Sequence, residues 1–128
     1  MEKYRVLVVD DFEPWRRFLC STLEKQRDDV EIVGESSDGW EAIEQAQELH
    51  PDLVMLDVGL PTLNGIETAR RLRRLCPCSK ILFVSQESSP EVIEEALGTG
   101  AEGYVVKVNA SDLLRVVDNT LALQTESV

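Results

Sequence analysis

The 128-residue sequence has no apolar run near the roughly 18 residues that a membrane-crossing helix needs. Its first residues, Met1-Glu2-Lys3-Tyr4, show no secretory-signal pattern and lead directly into a predicted strand, so the expected location is the cytoplasm, with no membrane partner. Positive charge is scarce: 13 Lys and Arg stand against 24 Asp and Glu, a net charge of −11. That balance argues against direct nucleic-acid binding by this domain, because gripping a phosphate backbone needs a basic footprint. Cysteine is limited to Cys20, Cys76 and Cys78, an odd count without a secretory signal, which points to reduced thiols. Cys76-Pro77-Cys78 lacks the second ligand pair of a metal site and the CxxC turn of a redox site, so a functional role is not expected. Internal repeats and low-complexity segments are also missing.

What is present is a globular composition, 43% hydrophobic and 29% charged, at a length that suits one domain with its own core. After Arg5, Val6-Leu7-Val8-Val9 is a continuous apolar run of the kind buried on both faces of a parallel sheet. Phe12 to Leu23 comes next as an amphipathic helix with Trp15, Phe18, Leu19 and Leu23 on its apolar face, and Pro14 is tolerable there because it falls in the first turn. Val30 to Glu35 alternates with a charge in its middle, as an edge strand does. Ser37-Asp38-Gly39 then starts a helix bearing Ala42, Ile43, Ala46 and Leu49, which His50-Pro51 ends; Trp40 lies off its stripe and is expected half exposed.

Leu53-Val54-Met55-Leu56 is a second apolar strand, followed by a turn-rich loop and a helix with Ile66, Ala69, Leu72 and Leu75 inward. Arg70, Arg71, Arg73 and Arg74 fall on the solvent side of that helix. Lys80 to Val84 is a third such strand. Ser89-Pro90 caps a helix with Val92, Ile93, Ala96 and Leu97 inward, ended by Gly98 and Gly100. Gly103 to Val106 is the last strand, and Asn109 caps a final helix with Leu113, Leu114, Val117 and Leu121 inward. Residues 1–124 form the expected domain and 125–128 a polar tail, with fraying from Gln124 onward. Five βα units in strict alternation give an α/β fold, a parallel sheet covered on both faces by right-handed crossovers, with its ligand site at the carboxyl ends of the strands.

Those carboxyl ends carry the chemistry. Asp10 and Asp11 end the first strand, Asp57 the third, Ser85 the fourth and Lys107 the fifth. Three carboxylates gathered in a partly dry cleft repel one another unless a divalent cation neutralises them, and oxygen ligands alone point to Mg²⁺. Asp57, on a different strand from the pair, is the carboxylate placed both to touch the metal and to attack a phosphoryl group, giving an acyl phosphate. Lys107 and the Ser85 hydroxyl would then hold the phosphoryl oxygens. The blander readings are that Asp10 and Asp11 only cap a helix, that Ser85 is a simple cap and that Lys107 is a surface lysine; their convergence at one edge argues against all three.

The pieces Val8-Val9-Asp10-Asp11, Leu56-Asp57-Val58 with Leu60-Pro61 and Asn64-Gly65, Val84-Ser85, and Gly100-Ala101-Glu102-Gly103-Tyr104-Val105-Val106-Lys107 resemble the receiver domain of bacterial two-component response regulators, of the kind usually joined to a helix-turn-helix output domain. The resemblance runs from Val6 to about Leu121. It implies a doubly wound (βα)5 flavodoxin-like fold of strand order 2-1-3-4-5 with helices on both faces. It makes Asp57 the phosphoacceptor, Asp10 and Asp11 the acidic Mg²⁺ pair, and the Gly59 carbonyl a further metal ligand. Ser85 becomes the switch hydroxyl, Tyr104 the aromatic that turns inward with it, and Lys107 the cation on the phosphoryl oxygen. The implied protein is a signalling switch rather than a turnover enzyme, one that assists its own Mg²⁺-dependent phosphorylation and dephosphorylation. Its implied partners are a histidine kinase or phosphotransfer protein near Trp15, Arg16 and Phe18, a homodimer on phosphorylation, and an output element near the helix from Pro90 and the Tyr104 strand. Two arrangements are expected at the Val128 end: a stand-alone receiver, or an output domain beyond this chain.

Three departures from the family pattern stand out. Val108 replaces the proline that usually comes after the lysine. Gln86 and Glu87 put a long side chain and a carboxylate at the mouth of the site, where they can alter the lifetime of a phosphorylated state. Gly59 leaves its side of the cleft open. A haloacid-dehalogenase-like phosphatase needs a second Asp where Gly59 stands, and a flavin carrier needs a Ser/Thr/Gly-rich phosphate loop where Asp-Asp-Phe-Glu-Pro stands. The remaining rival is a degenerate receiver acting as a phosphorylation-independent binding module. Trp15, one helical turn from Asp11, is positioned to report Mg²⁺ binding by its emission.

Overall fold

Strands that are apolar on both sides can be buried only where helices cover both faces of their sheet, and the computed structural model has that arrangement. It describes residues 3–107 and 113–126, so Val108 and Asn109, with the peptide bond and the helix cap expected there, lie outside the described residues. Strands β1 (Tyr4–Val9), β2 (Val30–Ser36), β3 (Leu53–Leu56), β4 (Lys80–Ser85) and β5 (Gly103–Val106) alternate with helices α1 (Glu13–Gln26), α2 (Gly39–Leu49), α3 (Gly65–Leu75), α4 (Pro90–Leu97) and α5 (Leu113–Glu126). The sheet is parallel throughout in the order β2-β1-β3-β4-β5. This is the flavodoxin-like doubly wound topology, and β2, the strand with a charge in its middle, is an edge.

The two-residue side-chain period of the strands divides the interior into two cores. Leu7, Val9, Val54, Leu56, Ile81 and Phe83 pack beneath α2, α3 and α4, with Tyr104 partly buried against them. Val6, Val8, Leu53, Met55, Leu82, Val84 and Val105 face the other way, onto Leu19 and Leu23 of α1 and Leu113, Val117 and Leu121 of α5. Helix starts reflect the local chemistry of their caps: Asp38, Asn64 and Ser89 each accept a hydrogen bond from the backbone N–H three residues on. Pro90 occupies the first turn of α4, where its missing N–H costs nothing.

Some predicted inward positions are not inward. Leu75, the last residue of α3, is 51% exposed, and Leu97, the last residue of α4, is 41% exposed. Helix α4 has only eight residues and buries Ala96 fully, while Val92 and Ile93 are half-buried. Phe18 is 52% exposed and rests against Trp15 instead of the core. Helix α5 continues to Glu126, past the Gln124 where fraying was expected, since nothing in Gln124-Thr125-Glu126 breaks a helix. Trp40 is half exposed as expected, beneath the Arg71 guanidinium at 4.7 Å. All three cysteines are free, and burial pushes the Cys20 thiol up to about 12, which removes it from thiolate chemistry.

Arg27, just past α1, ties three elements together. It donates to both oxygens of Asp29 at 2.9 and 2.6 Å and to Asp118 of α5 at 2.7 Å. The Arg27 hydrogen bond holds the Asp29 carboxyl below its ordinary value near 3.8. A carboxyl depressed in the folded state stabilises above its unfolded pKa and loses that contribution as pH falls through the folded one. Asp29→Asn is therefore expected to cost about 1 kcal/mol at pH 7. Urea unfolding at a series of pH values should show that deficit shrinking below about 3.8.

Candidate functional site

The register of the central strands brings the acids together. Val9 of β1 pairs with Leu56 of β3, and the next residues, Asp10 and Asp57, stand side by side, with the Asp57 N–H donating to the Val9 carbonyl at 3.0 Å. Parallel strands lie about 4.8 Å apart, so the two carboxylates have no means of avoiding each other. Both are almost fully buried, at 2% and 7% exposure, whereas Asp11 is exposed. One carboxylate oxygen from each of Asp10, Asp11 and Asp57 lies within 4.8 Å of the others. Burial is the main cause that raises the Asp10 carboxyl above its ordinary value, and the Asp57 charge adds to it.

Lys107, one residue past β5, answers this charge from the other side of the cleft. Its Nζ sits 2.6 Å from Asp10 Oδ2 and 3.8 Å from Asp57 Oδ2. With a side chain only 9% exposed it is no surface lysine. Its nearer partner is Asp10, not Asp57.

The loops that carry these residues are fixed by their own bonds. Asp10 Oδ1 accepts the Phe12 N–H at 2.9 Å, but the helix cap itself is Phe12, which provides no side-chain bond, so capping does not explain the acidic pair. Arg16 donates to the Asp10 carbonyl at 2.7 Å and to Glu35 of β2 at 2.9 Å, with its side chain 15% exposed. The resemblance implies that Arg16 lies near a partner-docking face; these bonds give it a further part in holding the acidic loop. Ser85 accepts the Glu87 N–H at 3.2 Å, and the Tyr104 hydroxyl donates to the Glu87 carbonyl at 2.7 Å while its ring stacks on Phe83 at 5.9 Å. Burial raises the Tyr104 hydroxyl above its ordinary value.

Together Asp10, Asp11, Asp57, Gly59, Ser85 and Lys107 line one cleft of about 430 Å³, with Gln86 and Glu87 at its mouth. Gly59 is exposed, and a Cβ built there meets nothing, so that side is open as expected. Tyr104 is among neither the lining residues nor the acids; it belongs to the adjoining β4–β5 surface. Three carboxylate oxygen donors gathered this closely could hold a hard divalent cation.

A doubly wound parallel domain with an acidic cleft at its carboxyl edge is the class that fold and site define. Residues 6–118 match the family model described as response regulator receiver domain. The chain belongs to that family, whose members act as signalling switches in two-component systems. The nitrate/nitrite response regulator protein NarL of Escherichia coli (strain K12) is 35% identical over 122 residues, covering 94% of this chain and 56% of that protein. The chemotaxis protein CheY of Thermotoga maritima is 35% identical over 103 residues, covering 80% of this chain and 84% of that protein. Among solved structures, a LuxR-family two-component response regulator from Aurantimonas sp. SI85-9A1 superposes with a TM-score of 0.88 at 29% identity, covering 94% of this chain and 86% of that one. The chain thus spans little more than half the length of NarL. Among the described residues no helix is long and apolar enough to cross a membrane.

Gly65 is the site residue whose role the sequence did not reveal. It opens α3 directly under Asp57, its N–H donating to the Val58 carbonyl at 2.7 Å, and a Cβ there would lie 1.9 Å from the Asp57 carbonyl oxygen. The signal was present as Asn64-Gly65 at a helix start, but a close backbone approach is a three-dimensional fact. Gly65→Ala is expected to lower stability by about 1–3 kcal/mol. Urea unfolding measures it, and an unchanged midpoint would contradict the contact.

Proposed function

We propose that Asp57 accepts a phosphoryl group and that the charge placed there switches the protein between two surfaces. The observation that carries this reading is the position of Asp57: within 4.8 Å of two further carboxylates and 3.8 Å from a buried ammonium. An Asp57 oxygen attacks phosphorus and the donor's bond to phosphorus breaks, leaving an aspartyl phosphate on the chain. Asp10, Asp11, Asp57 and the Gly59 carbonyl are the proposed holders of Mg²⁺, which when bound supplies positive charge against the carboxylates and the phosphoryl oxygens. Lys107 holds one phosphoryl oxygen; it is already buried at the site and need only shift its weight from Asp10 toward Asp57. The Ser85 hydroxyl donates to another, while its oxygen remains free to accept the Glu87 N–H.

The proposed donors are a histidine kinase or a phosphotransfer protein, since His50, exposed at the end of α2 and ahead of the amino end of β3, lies at the edge of the sheet opposite the cleft and offers no internal one. The switch is carried by the β4–β5 side, where Ser85, Glu87 and Tyr104 form a connected set and where a homodimer or an output element would read the change. The cytoplasm is the proposed location.

Incubation with Mg²⁺ and acetyl phosphate, followed by intact mass, tests the reading. The expected result is the mass gain of one phosphoryl group in wild type and none in Asp57→Asn. No gain in wild type would instead favour a phosphorylation-independent binding module, and a gain that persists in Asp57→Asn would move the acceptor elsewhere.

A further inference from the structure

Two carboxylates compete for the Lys107 ammonium, and the nearer, Asp10, is also a proposed metal holder. A point charge on a flexible four-carbon stem has no directional preference of its own, so something else must set where it rests. The third group against it is aromatic: Lys107 Nζ lies 5.4 Å from the centroid of the Trp15 ring, inside the roughly 6 Å over which a ring face attracts a cation. Trp15 packs on the α1/α5 core with Phe18 at 5.5 Å, and its buried Nε1–H has no hydrogen-bond partner among the described residues. No polar bond therefore draws the ring elsewhere; packing and the ammonium set its orientation.

We infer that Trp15 is a positioning residue for Lys107: its indole face holds the ammonium beside Asp57 when Asp10 is engaged by a cation. An uncharged ring suits this task, because a third acid would compete for the same cation and an aliphatic side chain would fill the space without attracting the ammonium. The kinetic consequence rests on Asp57 as the phosphoryl acceptor; the contact does not.

Both can be read in a Trp40→Phe background, which leaves Trp15 as the sole indole and removes a ring that lies over Arg71 on the α2–α3 side. Fluorinated tryptophans at position 15 keep the shape of the ring and drain its negative face. The rate of Asp57 modification by acetyl phosphate should fall stepwise with fluorination. Trp15→Leu should be about three- to tenfold slower, with Trp15→Phe between, and Lys107→Met should abolish the dependence. A flat fluorine series at unchanged thermal stability overturns the proposal. Separately, Lys107→Met should shift the Trp15 emission of the metal-free, unphosphorylated protein, while Lys80→Met should not; identical spectra overturn it as well. Failure of the wild-type protein to be modified would count against the reading of Asp57, and the emission comparison would still decide the contact.

Discussion

Two like charges at adjacent ends of buried strands are the constraint on which the remainder of this structure depends. The β1–β3 register leaves Asp10 and Asp57 one step beyond the Val9–Leu56 pair, with little solvent to separate their fields. Each neighbouring feature answers that arrangement. Lys107 supplies the opposite charge, Arg16 fixes the backbone of the acidic loop against β2, and Gly65 lets α3 approach the Asp57 carbonyl. A cluster of this kind is a poor way to stabilise a fold and a good way to make it respond to a cation or an anion, because small changes in charge meet a large standing repulsion.

The pleat of the sheet then separates two tasks. Val8, Met55 and Val105, two residues before Asp10, Asp57 and Lys107, all face the α1/α5 core, and Trp15 meets Lys107 on that side. Phe83, two residues before Ser85, faces the α2–α4 core together with Tyr104. Charge is therefore managed on one face of the strand ends, while the hydroxyl and the aromatic lie toward the other. Ser85 and Tyr104 are linked there through the backbone of Glu87. On the proposed reading, that division offers a physical route from a charge placed at Asp57 to the β4–β5 surface.

Much of this was legible in the residues. Continuous apolar runs such as Val6 to Val9 marked buried parallel strands, and the residue types at their carboxyl ends marked the cleft, because an apolar strand has no reason of its own to end in an acid or a lysine. Periodicity was less reliable at helix ends: Leu75 and Leu97 keep the spacing of an inward stripe, but each is the last residue of its helix and is exposed. Arg16 was placed only near a partner-docking face, because sequence spacing cannot show that Glu35 and the Asp10 carbonyl lie within its reach. Trp15 read as one member of an apolar stripe, since its contact with Lys107 joins residues at opposite ends of the chain.

The central claim is that the carboxylates stand in unfavourable proximity that a cation relieves. It is tested most directly by the unfolding free energy of wild type and Asp57→Asn, each measured with a chelator and with Mg²⁺. With the chelator present, Asp57→Asn should be the more stable protein, by about 1 kcal/mol or more, because one of the repelling charges is gone. Mg²⁺ should then stabilise wild type more than the variant. A metal-free Asp57→Asn protein no more stable than wild type, with equal gains from Mg²⁺, would contradict the account.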